Sequence, residues 1–148
     1  MKRSNPLLEH AIDVEVSLEF IWNHRTDITN WNDPPAQFTL DGPFVNGAHG
    51  STVTPGQEPM HWTIRNVVPQ KSFGIEMQLD GAVFTSEWRF EYSSKRRTRM
   101  TQRLVLSGAN AAAYAEQIEA AFKNNLAEGM KRIAREIEAA EQRLKTSN

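Results

Sequence analysis

The sequence contains no cysteine among its 148 residues. This absence excludes disulfide bonds, thiolate nucleophiles and cysteine-bound metals, and it fits a reducing compartment. A membrane-spanning helix needs a run of about 18 apolar residues, and the sequence has no such run. The N-terminus also lacks the apolar segment of a secretory signal. We therefore predict a cytoplasmic protein without a membrane span.

An excess of charge of either sign is also missing. The chain has 17 basic and 18 acidic residues and a formal net charge of −1, which gives little attraction to nucleic acids or anionic membranes. The basic cluster at residues 94–99 lies at a predicted hairpin tip without interleaved aromatic residues, which is typical of a solvated turn. We predict no nucleic-acid partner.

Familiar catalytic motifs are absent: the sequence has no G-x-S-x-G, no HExxH and no glycine-rich phosphate loop followed by lysine. His49 and His61 flank a predicted hairpin loop, and the predicted pairing separates them by about 13 Å on the solvent face. One zinc ion cannot bind two ligands so far apart. His24 is expected to face solvent, and His10 shares the phase of inward-facing strand residues. We predict no metal and no cofactor.

Hydrophobic periodicity predicts one strand, two short helices, six strands and a long helix. Residues 10–17 alternate as a strand with one buried face, and Ser17 and Asp27 are good N-caps for the two short helices. Residues 109–145 contain no proline and one glycine, which predicts a single long helix. We expect one domain over residues 1–148, with an ordered core at about 8–145.

The strands between residues 60 and 106 can be aligned because Asp80-Gly81 is typical of a two-residue hairpin turn. The alignment places Glu87 opposite Arg103 and Glu91 opposite Arg99, as cross-strand pairs prefer. The face that results is almost entirely apolar and has three rows: Trp62, Met77, Phe84 and Leu106; Ile64, Ile75, Ser86 and Leu104; Asn66, Phe73, Trp88 and Gln102.

The predicted C-terminal helix has an amphipathic stripe with spacings of three and four. The stripe must be buried, and the apolar sheet face is the only large partner for it. We therefore predict an α+β fold in which a curved antiparallel sheet surrounds the helix. The stripe includes Ile118, Phe122, Asn125, Gly129, Ile133 and Ile137.

This order of elements resembles the START/Bet v 1-like superfamily and, within it, the polyketide cyclase/dehydrase-like (SRPBCC) proteins. The segments VSLEFIWNHRTDITNW, DGPFVNGAHGSTV and WTIRNVVPQKSF are similar to that family. The resemblance covers residues from about 10 to 144 and implies a helix-grip fold with a cavity between sheet and helix. Members include lipid and hormone carriers, aromatase/cyclases, ubiquinone-binding proteins and chaperone co-activators.

The predicted cavity would bind a small hydrophobic or aromatic molecule. Asn66, Ser86 and Gln102 are polar residues on an apolar face, so they either pair locally or face a ligand. Trp31 and Phe44 are candidates for a lid. The predicted ligand-binding residues are Trp62, Ile64, Asn66, Phe73, Ile75, Met77, Phe84, Ser86, Trp88, Gln102, Leu104, Ile118, Phe122 and Asn125.

Three functions stay open at this point. The first is a carrier or sensor that binds a lipid-like or polyketide-like ligand. The second is a polyketide cyclase/dehydratase-type enzyme that acts in the same cavity, although its catalytic residues are not identified. A Ser86 nucleophile would need a base, and His10 is the only candidate on the inner face. The third is a co-chaperone-like interaction module. A homodimer is compatible with all three.

Overall fold

The computed structural model describes residues 6–146. Seven strands within them form one antiparallel sheet, in which the strands, numbered along the chain, lie in the order 1-7-6-5-4-3-2. A 3-10 turn, Ile28–Asn30, follows the first helix. This arrangement confirms the predicted α+β helix-grip fold. The elements are β1 Leu8–Val14, α1 Leu18–Arg25, β2 Gln37–Leu40, β3 His49–Val53, β4 Met60–Val68, β5 Ser72–Leu79, β6 Ala82–Ser94, β7 Arg97–Ser107, α2 Ala111–Phe122 and α3 Leu126–Thr146.

Both short helical segments after β1 begin at the predicted caps. The Ser17 hydroxyl accepts a hydrogen bond from the Phe20 N–H (3.1 Å), and the Asp27 carboxylate accepts one from the Thr29 N–H (3.0 Å). Each bond satisfies an amide that has no partner within the helix itself. The caps therefore fix where α1 and the 3-10 turn begin.

The register of β5, β6 and β7 is confirmed at every predicted pair. Gly81 adopts a φ of 75°, which the two-residue turn requires and glycine accepts without strain. Arg103 lies opposite Glu87, and its guanidinium is 3.4 Å from that carboxylate. Arg99 lies opposite Glu91 as predicted, but its ion pair is with Asp13 of β1 (3.4 Å).

The predicted inward position of Asn66 is wrong. The register of β4 against β5 shifts between Arg65 and Val68, and Asn66 lies in this bulge with a φ of 54° and an exposed side chain. Asparagine tolerates this left-handed conformation better than most residues, and the extra residue in a bulge reverses which side chain points inward. Val67 takes the inward position and packs against the core.

The predicted pairing of β3 with β4 is wrong by two residues, since His49 lies opposite Thr63 and His61 opposite Ser51. The turn Thr54–Gln57, closed by a 3.1 Å backbone hydrogen bond, sets the centre of the loop. A register shift of two residues leaves each side chain on the same face of the sheet, so His49 and His61 are both exposed as predicted. The shift brings them to about 7 Å apart along the strands, closer than the predicted separation. Residues 6–146 contain no group of three or more metal-binding side chains, and the absence of a metal stays a prediction.

The predicted single C-terminal helix is interrupted at residues 123–125, where Asn125 donates to the Ala121 carbonyl (3.1 Å). Because the chain resumes its helix after three non-helical residues, the phase of the apolar stripe changes. None of the helices in residues 6–146 is both long and apolar enough to cross a membrane. The buried residues of α3 are Leu126, Met130, Ala134 and Ile137. Of the predicted stripe, Ile137 is buried and Ile133 packs against the core, whereas Asn125 is exposed and Gly129 is only partly buried.

Aromatic side chains form the centre of the core beneath α1. Phe73 is 2% exposed, and its ring centroid lies 5.0 Å from Phe44, 5.9 Å from Phe90, 6.1 Å from Trp22 and 6.4 Å from Trp88. Edge-to-face and offset contacts at such distances add to the free energy of burial. This cluster supports the inner face of the sheet around Trp88.

Candidate functional site

A cavity of about 300 Å³ lies between the inner face of the sheet and α3. Strands of the sheet, the segment before β2, and α1 and α3 contribute to its walls, which combine aromatic and aliphatic side chains with a few polar ones. The lining residues are Arg25, Trp31, Asn32, Asp33, Phe38, Thr52, Trp62, Ile75, Met77, Ser86, Trp88, Gln102, Arg132, Ile133 and Glu136.

Trp62 forms one wall because Gly50, opposite it on β3, has no side chain. A Cβ at Gly50 would overlap the six-membered ring of the Trp62 indole. The indole Nε1 donates to the Thr52 hydroxyl (3.0 Å), and the ring lies 5.6 Å from Trp31. Trp62 is therefore held in one orientation by a close approach on one side and a hydrogen bond on the other.

Ser86 and Gln102 form a polar pair on the cavity wall. The Gln102 Nε2 donates to the Ser86 Oγ (2.8 Å), so these two predicted inward polar residues satisfy part of each other's hydrogen-bonding capacity. Gln102 retains its carbonyl oxygen and a second N–H for other partners. His10 lies opposite Gln102 in β1 and has no hydrogen bond to Ser86, so the structure does not assemble a serine–histidine pair here.

Sequence reasoning missed Arg25, as it did Asn32, Asp33, Phe38, Thr52, Arg132 and Glu136 of the cavity lining. Arg25 is 7% exposed, and its guanidinium carbon lies 4.6 Å from the Trp88 ring centroid and 5.5 Å from that of Trp31. Among residues 6–146, no side chain forms a hydrogen bond or an ion pair with this guanidinium, and the buried Nε has no acceptor. A buried cation therefore lies on the cavity wall, stacked on two indole rings.

Burial lowers the pKa of Arg25 to about 10, because removal from water disfavours the charged form. The carboxylate of Glu136 opposes this shift from across the cavity without forming an ion pair. Even so, the guanidinium is almost fully protonated at neutral pH. The Arg25 guanidinium thus places a permanent positive charge on the cavity wall.

The sequence contains a signal for Arg25 that could have been used. Leu18, Ile21, Trp22 and Arg25 follow the i, i+3, i+4, i+7 spacing of one helix face, and three of these four are apolar. Ile21 and Trp22 are buried with Arg25 in the structure. An arginine on the apolar face of a short helix should be treated as a candidate for an internal charge.

An ion pair at the mouth of the cavity joins α3 to the segment that precedes β2. The Arg132 Nη1 lies 3.2 Å from the Asp33 Oδ1, and the side chains are 50% and 61% exposed. Such an exposed pair contributes only about 0–1 kcal/mol to stability.

Sequence comparison supports the architecture independently. The profile of the family described as polyketide cyclase/dehydrase and lipid transport matches residues 6–138. The chain belongs to this family. A search of the curated proteins found no match.

Several solved structures resemble this family member in fold. Norcoclaurine synthase from Thalictrum flavum, in complex with dopamine and hydroxybenzaldehyde, superposes with a TM-score of 0.69 at 12% identity, over 92% of this chain and 86% of that chain. The Zhui aromatase/cyclase from a Streptomyces species gives 0.64 at 18% identity, over 88% and 92%. A Nitrosomonas europaea protein gives 0.68 at 15% identity, over 96% and 99%. At these identities the likeness shows the fold alone.

The predicted site residues fall into five groups by position in this family member. Ile64, Phe73 and Leu104 are core residues behind the wall, and Asn66 lies outside on the bulge. Phe84 and Ile118 are half-buried near the α2 end, where the Phe84 ring lies 5.9 Å from Phe122. Phe122 and Asn125 line an adjoining cleft of about 600 Å³ that shares Trp88 and Gln102 with the cavity. The cavity itself is lined by Trp62, Ile75, Met77, Ser86, Trp88 and Gln102.

His24, next to Arg25 on α1, gives a prediction about pH. It is half-buried against Phe20 with its Nδ1 lacking a partner, in contrast to its predicted solvent position. Burial lowers the pKa of His24, and the positive charge of Arg25 lowers it further. The unfolded chain takes up this proton near pH 6.5, whereas the folded chain does so only at lower pH.

The contribution of His24 to stability is therefore present above pH 6.5 and is lost as the pH falls from 6.5 through the lower folded pKa. Urea unfolding at pH 7.5 and 5.5 should show a larger loss of stability in wild type than in His24→Gln, which cannot titrate. An equal loss in both proteins would contradict this account of His24.

Proposed function

We propose that this protein binds a small hydrophobic or aromatic molecule in the cavity between the sheet and α3, as a carrier or sensor. The observation that carries the proposal is the composition of the cavity wall. Trp62, Ile75 and Met77 supply apolar surface, and the Ser86–Gln102 pair supplies oriented polar groups. Concave apolar sites with few polar groups are typical of small-molecule binding, and about 300 Å³ is at the lower end of their range.

The comparisons support this proposal at the level of the family. Its description includes lipid transport. Norcoclaurine synthase, which has a similar fold, is described in complex with two small aromatic molecules. A ligand of that size class fits the cavity better than a long lipid chain, which favours a compact aromatic ligand over an extended one.

Binding can be tested with the uncharged dye N-phenyl-1-naphthylamine and with 2-naphthamide as its competitor. We expect dye fluorescence to rise on addition of the protein and 2-naphthamide to reverse it. At a free ligand concentration of 100 times Kd, 2-naphthamide should stabilise the fold by about 2.7 kcal/mol, which is readily seen as a higher Tm. No fluorescence change and no Tm shift at saturating concentrations would contradict the proposal.

The second candidate is a cyclase- or dehydratase-type enzyme, and the observation that favours it is the Arg25 guanidinium inside the cavity. A fixed cation in a water-poor site can stabilise an oxyanion that develops during carbonyl chemistry. Native mass spectrometry of the purified protein separates the two candidates. A carrier retains a co-purified molecule unchanged during incubation, whereas an enzyme converts it.

The remaining expectations from the sequence stay predictions. Among the exposed large apolar side chains of the described residues, Val53 and Met60 are neighbours at the ends of β3 and β4, whereas Val68, Tyr92 and Leu144 lie apart on β4, β6 and α3. Such scattered side chains do not favour an interaction module. The cytoplasmic location and the absence of a nucleic-acid partner rest on the sequence alone, and a homodimer is compatible with each candidate function.

A further inference from the structure

Arg25 is an unusual residue for the interior of a ligand-binding domain. An arginine that is 7% exposed normally has a carboxylate partner, because a buried charge without one costs several kcal/mol. Within residues 6–146 this guanidinium forms no ion pair and no hydrogen bond. Its N–H donors are therefore left without an acceptor, on the wall of a cavity that α1, the sheet and α3 line.

The stacking on Trp88 and Trp31 orients the guanidinium but does not satisfy its donors. Indole faces attract a cation and replace part of its lost hydration. The N–H groups lie in the plane of the guanidinium and point away from its faces, where they match the two oxygens of a planar carboxylate. Two indole rings thus hold a donor array whose acceptor is missing from the described part of the chain.

Glu136 does not supply that acceptor. It lines the same cavity and acts on Arg25 through space, yet its carboxylate is not within ion-pair distance. The other acidic residue of the lining, Asp33, is paired with Arg132 at the mouth. The positive charge of Arg25 is consequently left for a group that comes from outside the chain.

We propose that the ligand of this cavity is a small aromatic or alicyclic carboxylate whose carboxylate group binds the Arg25 guanidinium. Its ring lies against Trp62, Ile75 and Met77, and the Ser86–Gln102 pair accommodates a second polar substituent. This inference rests on the proposed function, since it assigns the chemistry of the ligand within the same cavity.

The test compares 2-naphthoate with 2-naphthamide, which has nearly the same shape but no charge, by isothermal titration calorimetry at pH 7.5. Wild type should bind the carboxylate at least about tenfold more tightly, as expected for hydrogen bonds to a buried charged group. Arg25→Met should abolish this preference while retaining 2-naphthamide binding. Arg25→Lys, which keeps the charge without the planar fork, should retain part of it.

Glu136→Gln is the matched variant, because it should strengthen the preference for the carboxylate that Arg25→Met abolishes. This measurement remains possible even if the Arg25 variants do not fold. Removing the negative charge of Glu136 should raise the preference for 2-naphthoate over 2-naphthamide, measured as the ratio of the two Kd values, by about threefold relative to wild type. If wild type binds both ligands equally well, the carboxylate site is overturned while the proposed function stands. If wild type binds neither ligand, both proposals are overturned.

Discussion

Replacing Phe73 by alanine is expected to lower the free energy of unfolding by about 3–5 kcal/mol, the largest stability effect that the structure predicts. Phe73 is 2% exposed and contacts four other aromatic rings, among them Trp88 of the cavity wall. Removal of the ring leaves a void. The neighbouring rings of Trp22 on α1 and of Trp88 and Phe90 on β6 cannot fill it, because each is held by a rigid helix or strand.

Urea denaturation followed by circular dichroism measures this effect. Tyr92→Ala is the matched control, since it removes an aromatic side chain of β6 that is 66% exposed and should change stability by no more than about 0.5 kcal/mol. Phe73→Leu should cost clearly less than Phe73→Ala because more of the volume is kept. A loss below about 1 kcal/mol for Phe73→Ala would contradict the placement of the core beneath α1.

Replacing Ser86 by leucine should abolish measurable binding of 2-naphthamide, with a loss of affinity on the order of 100-fold. Ser86 is a small residue between Phe84 and Trp88 on the inner side of β6, so a longer side chain projects directly into the cavity. The added apolar contacts offset the lost hydrogen bond from Gln102, so the variant should stay folded.

Ser107→Leu makes the same chemical change at an exposed position at the end of β7 and should leave binding unchanged. A thermal melt of both variants shows that each is folded before calorimetry. Full affinity of Ser86→Leu for 2-naphthamide would mean that the ligand binds elsewhere, for example in the adjoining cleft near Phe122.

Sequence reasoning predicted the part of the sheet whose turns have unambiguous residues. Asp80-Gly81 determines the alignment of β5 with β6, and the opposite charges of Glu87 and Arg103 confirm the next pairing. The turn residues, the cross-strand charges and the alternation of apolar and polar residues all favour the same register in these strands, so no other register satisfies all of them. These strands include Ile75, Ser86 and Trp88, which is why much of the cavity wall was predicted.

The failures occurred where tertiary structure decides between local alternatives. The bulge at Asn66 and the interruption at residues 123–125 both occur without proline, and no residue pattern marks them as breaks. Each interruption changes the phase of the residues at and beyond it, so Asn66 and Gly129 were placed on the buried face. The single domain over residues 1–148 stays a prediction, since the structure describes residues 6–146.

Arg25 was missed for a different reason. Charged residues are assigned to the surface by default, since a charge is rarely buried without a partner. The spacing of Leu18, Ile21 and Trp22 before it already indicated the buried face of α1. Functional sites are where residues most often depart from their usual burial, so a charged residue on a buried helix face should be examined as a candidate site residue.

The four tryptophans allow the central claim to be tested in one titration. Trp31, Trp62 and Trp88 line the cavity, whereas Trp22 packs in the core against Phe90 and Phe73. In ¹H–¹⁵N spectra with increasing 2-naphthamide, the indole N–H signals of the three cavity tryptophans should move to saturation with one common Kd, while that of Trp22 changes little. No saturable change, or a change at Trp62 alone, which also lines an outer groove with His49 and His61, would contradict ligand binding between the sheet and α3.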